Sequence, residues 1–306
     1  MSIKVAQLTK VFGEQRAVDN ISFDIEPGHV VGFLGPNGAG KSTTMKILSG
    51  YIPQSSGHAS VCGFDVATNP MAVKKHLGYL PEKNPLYYDM YVREFLEFTA
   101  GVYQLGKLTR SRVDEMISRT GLEKEVKKKI GTLSKGYKQR VGLAQAMIHH
   151  PKALILDEPT SGLDPNQIVA IRELIKQISS DTTVLLSTHI MQEVQAMCSR
   201  VIIINNGKIV ANDKIENIRA TDNLEDALQG LWVEWEQPLT QEQLSGIKHA
   251  ISFSETEGKW LFKTNEPDLL RKEIMQWSLN HDWNIVSLQK EQASLEDTFR
   301  HLTKRE

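Results

Sequence analysis

The segment Gly35-Pro36-Asn37-Gly38-Ala39-Gly40-Lys41-Ser42 fits the spacing G-x-x-x-x-G-K-[ST] at every position, and Thr43 continues it. Glycines at these points let backbone N–H groups curl around a polyphosphate without side-chain clash, and a helix opening at Lys41 adds its positive dipole end. The Lys41 ammonium would reach the outer phosphates, and the Ser42 hydroxyl would ligate Mg²⁺. That is the chemistry of a nucleoside triphosphate site. A second constellation, Leu154-Ile155-Leu156-Asp157-Glu158, ends an apolar run with two adjacent carboxylates. Strand alternation turns the two in different directions, Asp157 toward the water shell of a metal and Glu158 toward an attacking water. Alone, Glu158-Pro159 reads as a strand-end turn; beside a phosphate loop it reads as catalytic. Leu133-Ser134-Lys135-Gly136-Tyr137-Lys138-Gln139-Arg140 reads as a helix start, with Ser134 as N-cap and Gly136 allowing close backbone approach.

Hydropathy patterning supplies the elements that must hold these groups. Residues 29–34, 153–157, 183–187 and 201–204 are short, apolar and rich in β-branched side chains, so they predict buried strands. Residues 42–49 predict the helix that follows the phosphate loop. Near-continuous apolar strands alternating with helices predict an α/β core, a mainly parallel sheet covered on both faces. Between about 84 and 150 the strand signal vanishes. There Val92, Phe95, Leu96 and Thr99, and then Val141, Leu143, Ala144 and Met147, recur at helical spacing, which predicts a helical insertion; Lys127-Lys128-Lys129 within it reads as a solvated helix end. From about 222 the order is strand (231–236), helix (240–248), strand (249–255), strand (259–264), helix (268–281) and strand (283–290), the β-α-β-β-α-β order of a smaller α+β ferredoxin-like unit. A polar link then leads into a final helix over 295–302.

Composition bounds the reading. With 306 residues, of which 40% are apolar, the chain can fill a core in two domains, and wholesale disorder is excluded. Cys62 and Cys198 make neither a disulfide framework nor a paired metal spacing, which points to a reducing, intracellular setting. No run of about 18 apolar residues occurs, and the start Met1-Ser2-Ile3-Lys4 lacks a signal-peptide core, so any membrane role must come through a partner. The net charge of −1 hides an asymmetry: residues 222–306 carry 16 acidic against 9 basic side chains, all five tryptophans and only three of the 21 glycines. The expected division is therefore 1–220, with the helical subdomain at about 84–150, and an acidic accessory domain at 222–306.

Taken together, the motifs resemble those of the ATP-binding subunits of ABC transporters, whose core is a P-loop NTPase fold with a helical insertion. The resemblance covers about 1–220. It makes residues 133–137 the signature motif, with Lys135 and Tyr137 departing from the commonest L-S-G-G-Q form while Ser134 and Gly136 are kept. Ser161-Gly162-Leu163-Asp164 matches the D-loop, with Asp164 in the nucleotide-binding set, and His189 after Ser187-Thr188 matches the switch histidine. Phe12 matches the aromatic that stacks on adenine. Gly78-Tyr79-Leu80-Pro81-Glu82 matches the Q-loop with Glu82 in place of the usual glutamine, a side chain that can still reach a Mg²⁺-bound water. The implied activity is hydrolysis of ATP with Mg²⁺, by Lys41, Glu158 and His189. Two chains would sandwich two ATP molecules head to tail and drive a separate transmembrane permease, which places the protein in the cytoplasm on the inner face of the membrane.

Residues 84–94, with Tyr87, Tyr88 and Tyr91, lie where this family docks its permease. Residues 35–45, 78–94 and 294–299 resemble single-domain ATPases of exporters of the drug, sodium and gliding-motility types, and residues 84–93 look closest to the gliding-motility ATPase. A second reading is a soluble ABC ATPase of nucleic-acid or translation processes. Such proteins usually carry a coiled-coil insertion, tandem ATPase domains or basic additions; here the added domain is acidic, so no nucleic-acid partner is expected. For that domain the two readings are a regulatory or dimerising module and a stability appendage, in either case with Trp232, Trp235, Trp260 and Trp283 forming its core.

Overall fold

A computed structural model of the chain describes residues 2–179, 181–221 and 229–290. They divide into two compact units, the first running to Ile215 and the second beginning at Glu216. The strands of the first are β1 (Ile3–Phe12), β2 (Gln15–Ile25), β3 (Val30–Leu34), β4 (Ser56–Val61), β5 (Phe64–Asp65), β6 (Leu77–Leu80), β7 (Ala153–Asp157), β8 (Thr183–Thr188), β9 (Arg200–Asn205) and β10 (Lys208–Lys214). Its helices are α1 (Lys41–Leu48), α2 (Pro70–His76), α3 (Val92–Val102), α4 (Thr109–Arg119), α5 (Lys135–Met147), α6 (Pro165–Ile178) and α7 (Met191–Met197), and α8 (Ile215–Thr221) spans the boundary.

The main sheet runs β10-β9-β3-β8-β7-β6, parallel throughout except for the edge strand β10. Alternate residues serve opposite cores, which is why these strands read as continuous apolar runs. Leu154, Leu156, Val184 and Leu186 pack with the helical insertion, and Ala153, Ile155, Leu185 and Phe33 pack with α1 and a second sheet. Register then does the positioning. Leu34 lies beside Thr188, and Asp157 beside Ser187, so the phosphate loop, the carboxylates and the histidine all leave neighbouring strands at their carboxyl ends.

The second sheet, antiparallel in the order β2-β1-β4-β5, occupies residues for which hydropathy predicted no strands. Its period of two is broken by register shifts after Val5 and Leu8, and by Gln7 and Asn20 at φ 49° and 52°. Such bulges move the buried face from odd to even positions and erase the alternation. In the helical insertion, α3 buries Val92, Phe95, Leu96 and Thr99, and α5 buries Val141, Leu143, Ala144 and Met147. The lysine run lies in exposed turns at the start of a short 3-10 helix (Ile130–Thr132) that Lys129 caps, with Lys129 bridged to Tyr91.

The second unit contains β11 (Gln229–Trp235), α9 (Gln241–Leu244), β12 (Ser252–Thr256), β13 (Lys259–Thr264), α10 (Pro267–Asn280) and β14 (Ile285–Lys290). Its antiparallel sheet runs β12-β13-β11-β14, the ferredoxin-like order. Helix α9 is shorter than predicted, because Gly246 passes so close to Trp277 that a Cβ would lie 2.2 Å from the indole. Strand β12 starts later than predicted. The N–H groups of Lys248 and His249 donate to the Glu273 carboxylate, each at 2.8 Å, and so are lost to the ladder. Trp235 and Trp260 are core residues, whereas Trp232 alternates to the other face and is half-buried. The helix predicted over 295–302 lies outside the described residues.

Candidate nucleotide site

The phosphate loop joins β3 to α1 and is held in shape by its glycines. Gly40 caps α1 at φ 107°, in the left-handed region, and a Cβ there would meet the Ala17 carbonyl oxygen at 2.4 Å. At Gly35 a Cβ would meet the Ile204 carbonyl oxygen at 2.3 Å, whereas at Gly38 (φ 82°) it would meet nothing within 4 Å. Ala39 and Gly40 are buried, Pro36, Ser42 and Thr43 are half-buried, and Asn37 and Gly38 are exposed.

Lys41 is buried and donates to the Gly35 and Pro36 carbonyls at 2.7 and 3.1 Å. Its ammonium also lies 3.5 Å from Glu158 Oε1. Burial pushes the ammonium below its ordinary pKa, while the charges of Glu158, Asp157 and Glu82 oppose that shift. Ser42 Oγ donates to Asp157 Oδ1 at 3.1 Å, and Ser187 Oγ donates to the same oxygen. Glu158 has φ 50°, a strained position for a residue before proline, and its N–H donates to both the carbonyl and the hydroxyl oxygen of Ser187 at 3.1 Å. That backbone turn aims its carboxylate at the exposed His189, whose Nδ1–H donates to Glu158 Oε2 at 2.9 Å. One buried cation, two carboxylates, two hydroxyls and one imidazole thus converge beside the glycine loop.

This donor set suits Mg²⁺ and phosphate. Ser42 and Asp157 offer hard oxygens 3.1 Å apart. Among the described residues no group of three or more His, Cys, Asp or Glu forms a metal cage. Mg²⁺ needs none, because it keeps water and phosphate oxygens in its shell. Glu82 is exposed, close enough for its charge to act on Lys41. Phe12 is 49% exposed at the β1–β2 turn with Lys10 Nζ 5.0 Å from its ring centre, and the same hairpin presses Ala17 against Gly40.

Against known proteins, residues 18–161 match the family model described as ABC transporter. An uncharacterized ABC transporter ATP-binding protein of Bacillus subtilis (strain 168), YhcH, is 32% identical over 98% of this chain and 95% of its own length. The chain belongs to the ABC transporter ATP-binding family. The linearmycin resistance ATP-binding protein LnrL of the same organism is 31% identical over 99% of this chain and 98% of its own. A solved ATP-binding subunit of an ABC transporter superposes with a TM-score of 0.67 at 30% identity, covering 74% of this chain and 95% of that one.

The remaining residues expected of an ABC ATPase have other partners among the described residues. Ser134 is exposed at the N-terminus of α5 and accepts from Tyr137 N at 3.4 Å, and Gly136 is buried against Gln167, where a Cβ would be 2.8 Å from the side chain. Asp164 caps α6 by accepting from Gln167 N at 2.9 Å. Lys135 reaches Gly162, so signature segment and D-loop of one chain lie side by side. None of the hydrogen bonds described for the lysine–carboxylate cluster reaches Ser134 or Gly136. The sequence motifs assigned no role of their own to Ser187, Thr188, Thr160 and Glu193, all of them buried. The available signal was faint: a polar pair closing an otherwise apolar strand, and an acid in the first turn of α7.

Proposed function

We propose that this ABC ATPase works as two head-to-tail copies that energise a separate membrane permease in export, on the cytoplasmic face of the membrane. The observation that carries this reading is that its donor groups form two sets with different bonding partners. Lys41, Ser42, Asp157, Glu158 and His189 bond to one another around one loop, while Ser134 and Asp164 cap the starts of α5 and α6 and Gly136 packs on Gln167. A second copy, turned head to tail, would bring the latter group over the phosphates held by the former. Export is supported by the full-length likeness to a linearmycin resistance ATP-binding protein. Residues 84–93 extend the proposal to gliding-motility transporters through the resemblance described above. The permease would dock near Tyr87, Tyr88, Tyr91 and Phe98, which are about half exposed on the helical insertion. No helix among the described residues is long and apolar enough to cross a membrane.

In this reading Phe12 stacks on the adenine, and the loop N–H groups with Lys41 hold the phosphates. Ser42 and Asp157, with Glu82 toward its water shell, would hold Mg²⁺, which would supply neutralisation of the phosphate charge. Glu158 accepts the hydrogen bond of the attacking water, and His189 fixes that carboxylate and faces the transferring phosphoryl.

In the purified 306-residue chain, Glu158→Gln is expected to keep ATP affinity and slow turnover by about 10²–10³-fold. It should also accumulate an ATP-dependent dimer in size-exclusion chromatography. Near-normal turnover would sink the catalytic assignment. Affinity capture from detergent-solubilised membranes tests the partner: a co-purifying multi-span protein supports the transporter reading, and nucleic acid in its place overturns it.

A further inference from the structure

Behind the reacting side chains is a fully buried carboxylate that no step above uses. Glu193 has no exposed surface, and both of its oxygens are engaged. Thr160 Oγ1 donates to Oε1, and Thr188 Oγ1 donates to Oε2 at 2.7 Å. Both threonines are buried too, at 3% and 0% exposure. Their places in the chain give the arrangement its meaning. Thr160 follows Glu158-Pro159 and opens the turn into the D-loop, where Ser161 N donates to Glu158 O at 3.1 Å and Leu163 N to Thr160 O at 3.2 Å. Thr188 ends β8 immediately before His189, and its Oγ1 also accepts from Ile190 N at 3.1 Å. One carboxylate therefore ties the segment bearing Glu158 to the segment bearing His189, in addition to their own 2.9 Å hydrogen bond.

We propose that Glu193 is a positioning residue for ATP hydrolysis, a clamp that sets the spacing between Glu158 and His189 and links the D-loop to both. Burial of a carboxylate is costly unless its oxygens are satisfied, and two donors from two different loops satisfy this one only while those loops hold their relative place. A shift of about 1 Å in a catalytic group can cost about 10²-fold in rate, so a tether of this kind has a kinetic consequence without touching substrate. The Glu158 N–H bonds to Ser187 join the same two strand ends, and the Glu193 carboxylate extends that tie to the side chains of Thr160 and Thr188.

This inference rests on the reading that Glu158 and His189 work together in hydrolysis, and a double-mutant cycle separates the two claims. Glu193→Ala is expected to lower kcat by about 10–10²-fold while leaving the KM for ATP near its original value. Glu193→Gln, which keeps one acceptor, should recover part of the loss. In a His189→Ala background Glu193→Ala should cost little more, because the group it positions is gone. If Glu193→Ala fails to fold, Thr160→Val and Thr188→Val, which remove one donor each at constant shape, run the same cycle. Full multiplication of the two losses would overturn the clamp, as would a rise in KM with kcat unchanged. If His189→Ala alone left turnover intact, the catalytic reading would fall first and the clamp with it.

Discussion

The two units of this chain bury opposite kinds of groups. The first encloses Lys41, Asp157, Glu158, Glu193, Ser187 and Thr188 at the carboxyl ends of parallel strands; among the described residues the buried polar side chains of the second are Thr264 and Ser278. Hiding charge costs free energy unless every charge finds a partner, and the first unit supplies those partners across strands distant in sequence. The second spends its interior on Trp235, Trp260, Phe262, Leu270 and Ile274. Charge is buried in the first unit, and the core of the second is filled by aromatic and aliphatic side chains. All five tryptophans lie in the second unit, so fluorescence reports on it while nucleotide binding reports on the first.

That separation of signals gives the most demanding test. Phe262 is fully buried and meets Trp235 edge-on, ring centres 6.1 Å apart. Phe262→Ala should cost the second unit about 3–5 kcal/mol, read as a lower urea midpoint in tryptophan fluorescence. ATP affinity measured by calorimetry should stay unchanged. A matching loss of ATP binding would break the comparison. The next largest effect belongs to the other unit: Lys41→Ala removes the buried cation that faces Glu158 and should cut turnover about 10²–10³-fold, leaving the fluorescence transition where it was. Smaller again is Ser278→Ala. It strips the buried Trp235 indole N–H of an acceptor 2.8 Å away and should cost about 1–3 kcal/mol, visible only in the fluorescence-detected transition.

Legibility divided along the same lines. The glycine loop, the Asp157-Glu158 pair and His189 could be read because their chemistry is local in sequence and each sits at the end of an apolar strand. The clamp at Glu193 could not. An acid in a first helical turn is ordinary, and only the fold carries Thr160 to it from the far side of α6. Strands β1 and β2 were hidden by bulges, and β10 by being an amphipathic edge. In the second unit the β-α-β-β-α-β order was legible while the starts of β12 and the end of α9 were not. Those boundaries are set by Glu273 and Trp277, side chains of a helix that comes later in the chain.

The smallest expected effect concerns a half-buried histidine of the first unit that takes no part in the site. His149 Nε2–H donates to the Leu77 carbonyl at 3.2 Å, its ring stacks on Tyr103 at 3.9 Å, and its Nδ1 is buried without a partner. Burial is the main cause that lowers its pKa from the ordinary 6.5 to about 4; the Leu77 carbonyl opposes the shift, and the Arg112 cation reinforces it. The folded imidazole is thus neutral over a range where the unfolded chain binds a proton. Between about 6.5 and about 4 the unfolded state holds more protons, so stability falls as the pH falls through that window, and below it this group adds no further loss. His149→Phe keeps the ring stack and cannot titrate. The melting temperature of the variant, followed by far-UV circular dichroism, should fall less steeply across that window than that of the parent. Parallel slopes would show that the acid sensitivity of the first unit comes from its carboxylates, and that this imidazole has no share in it.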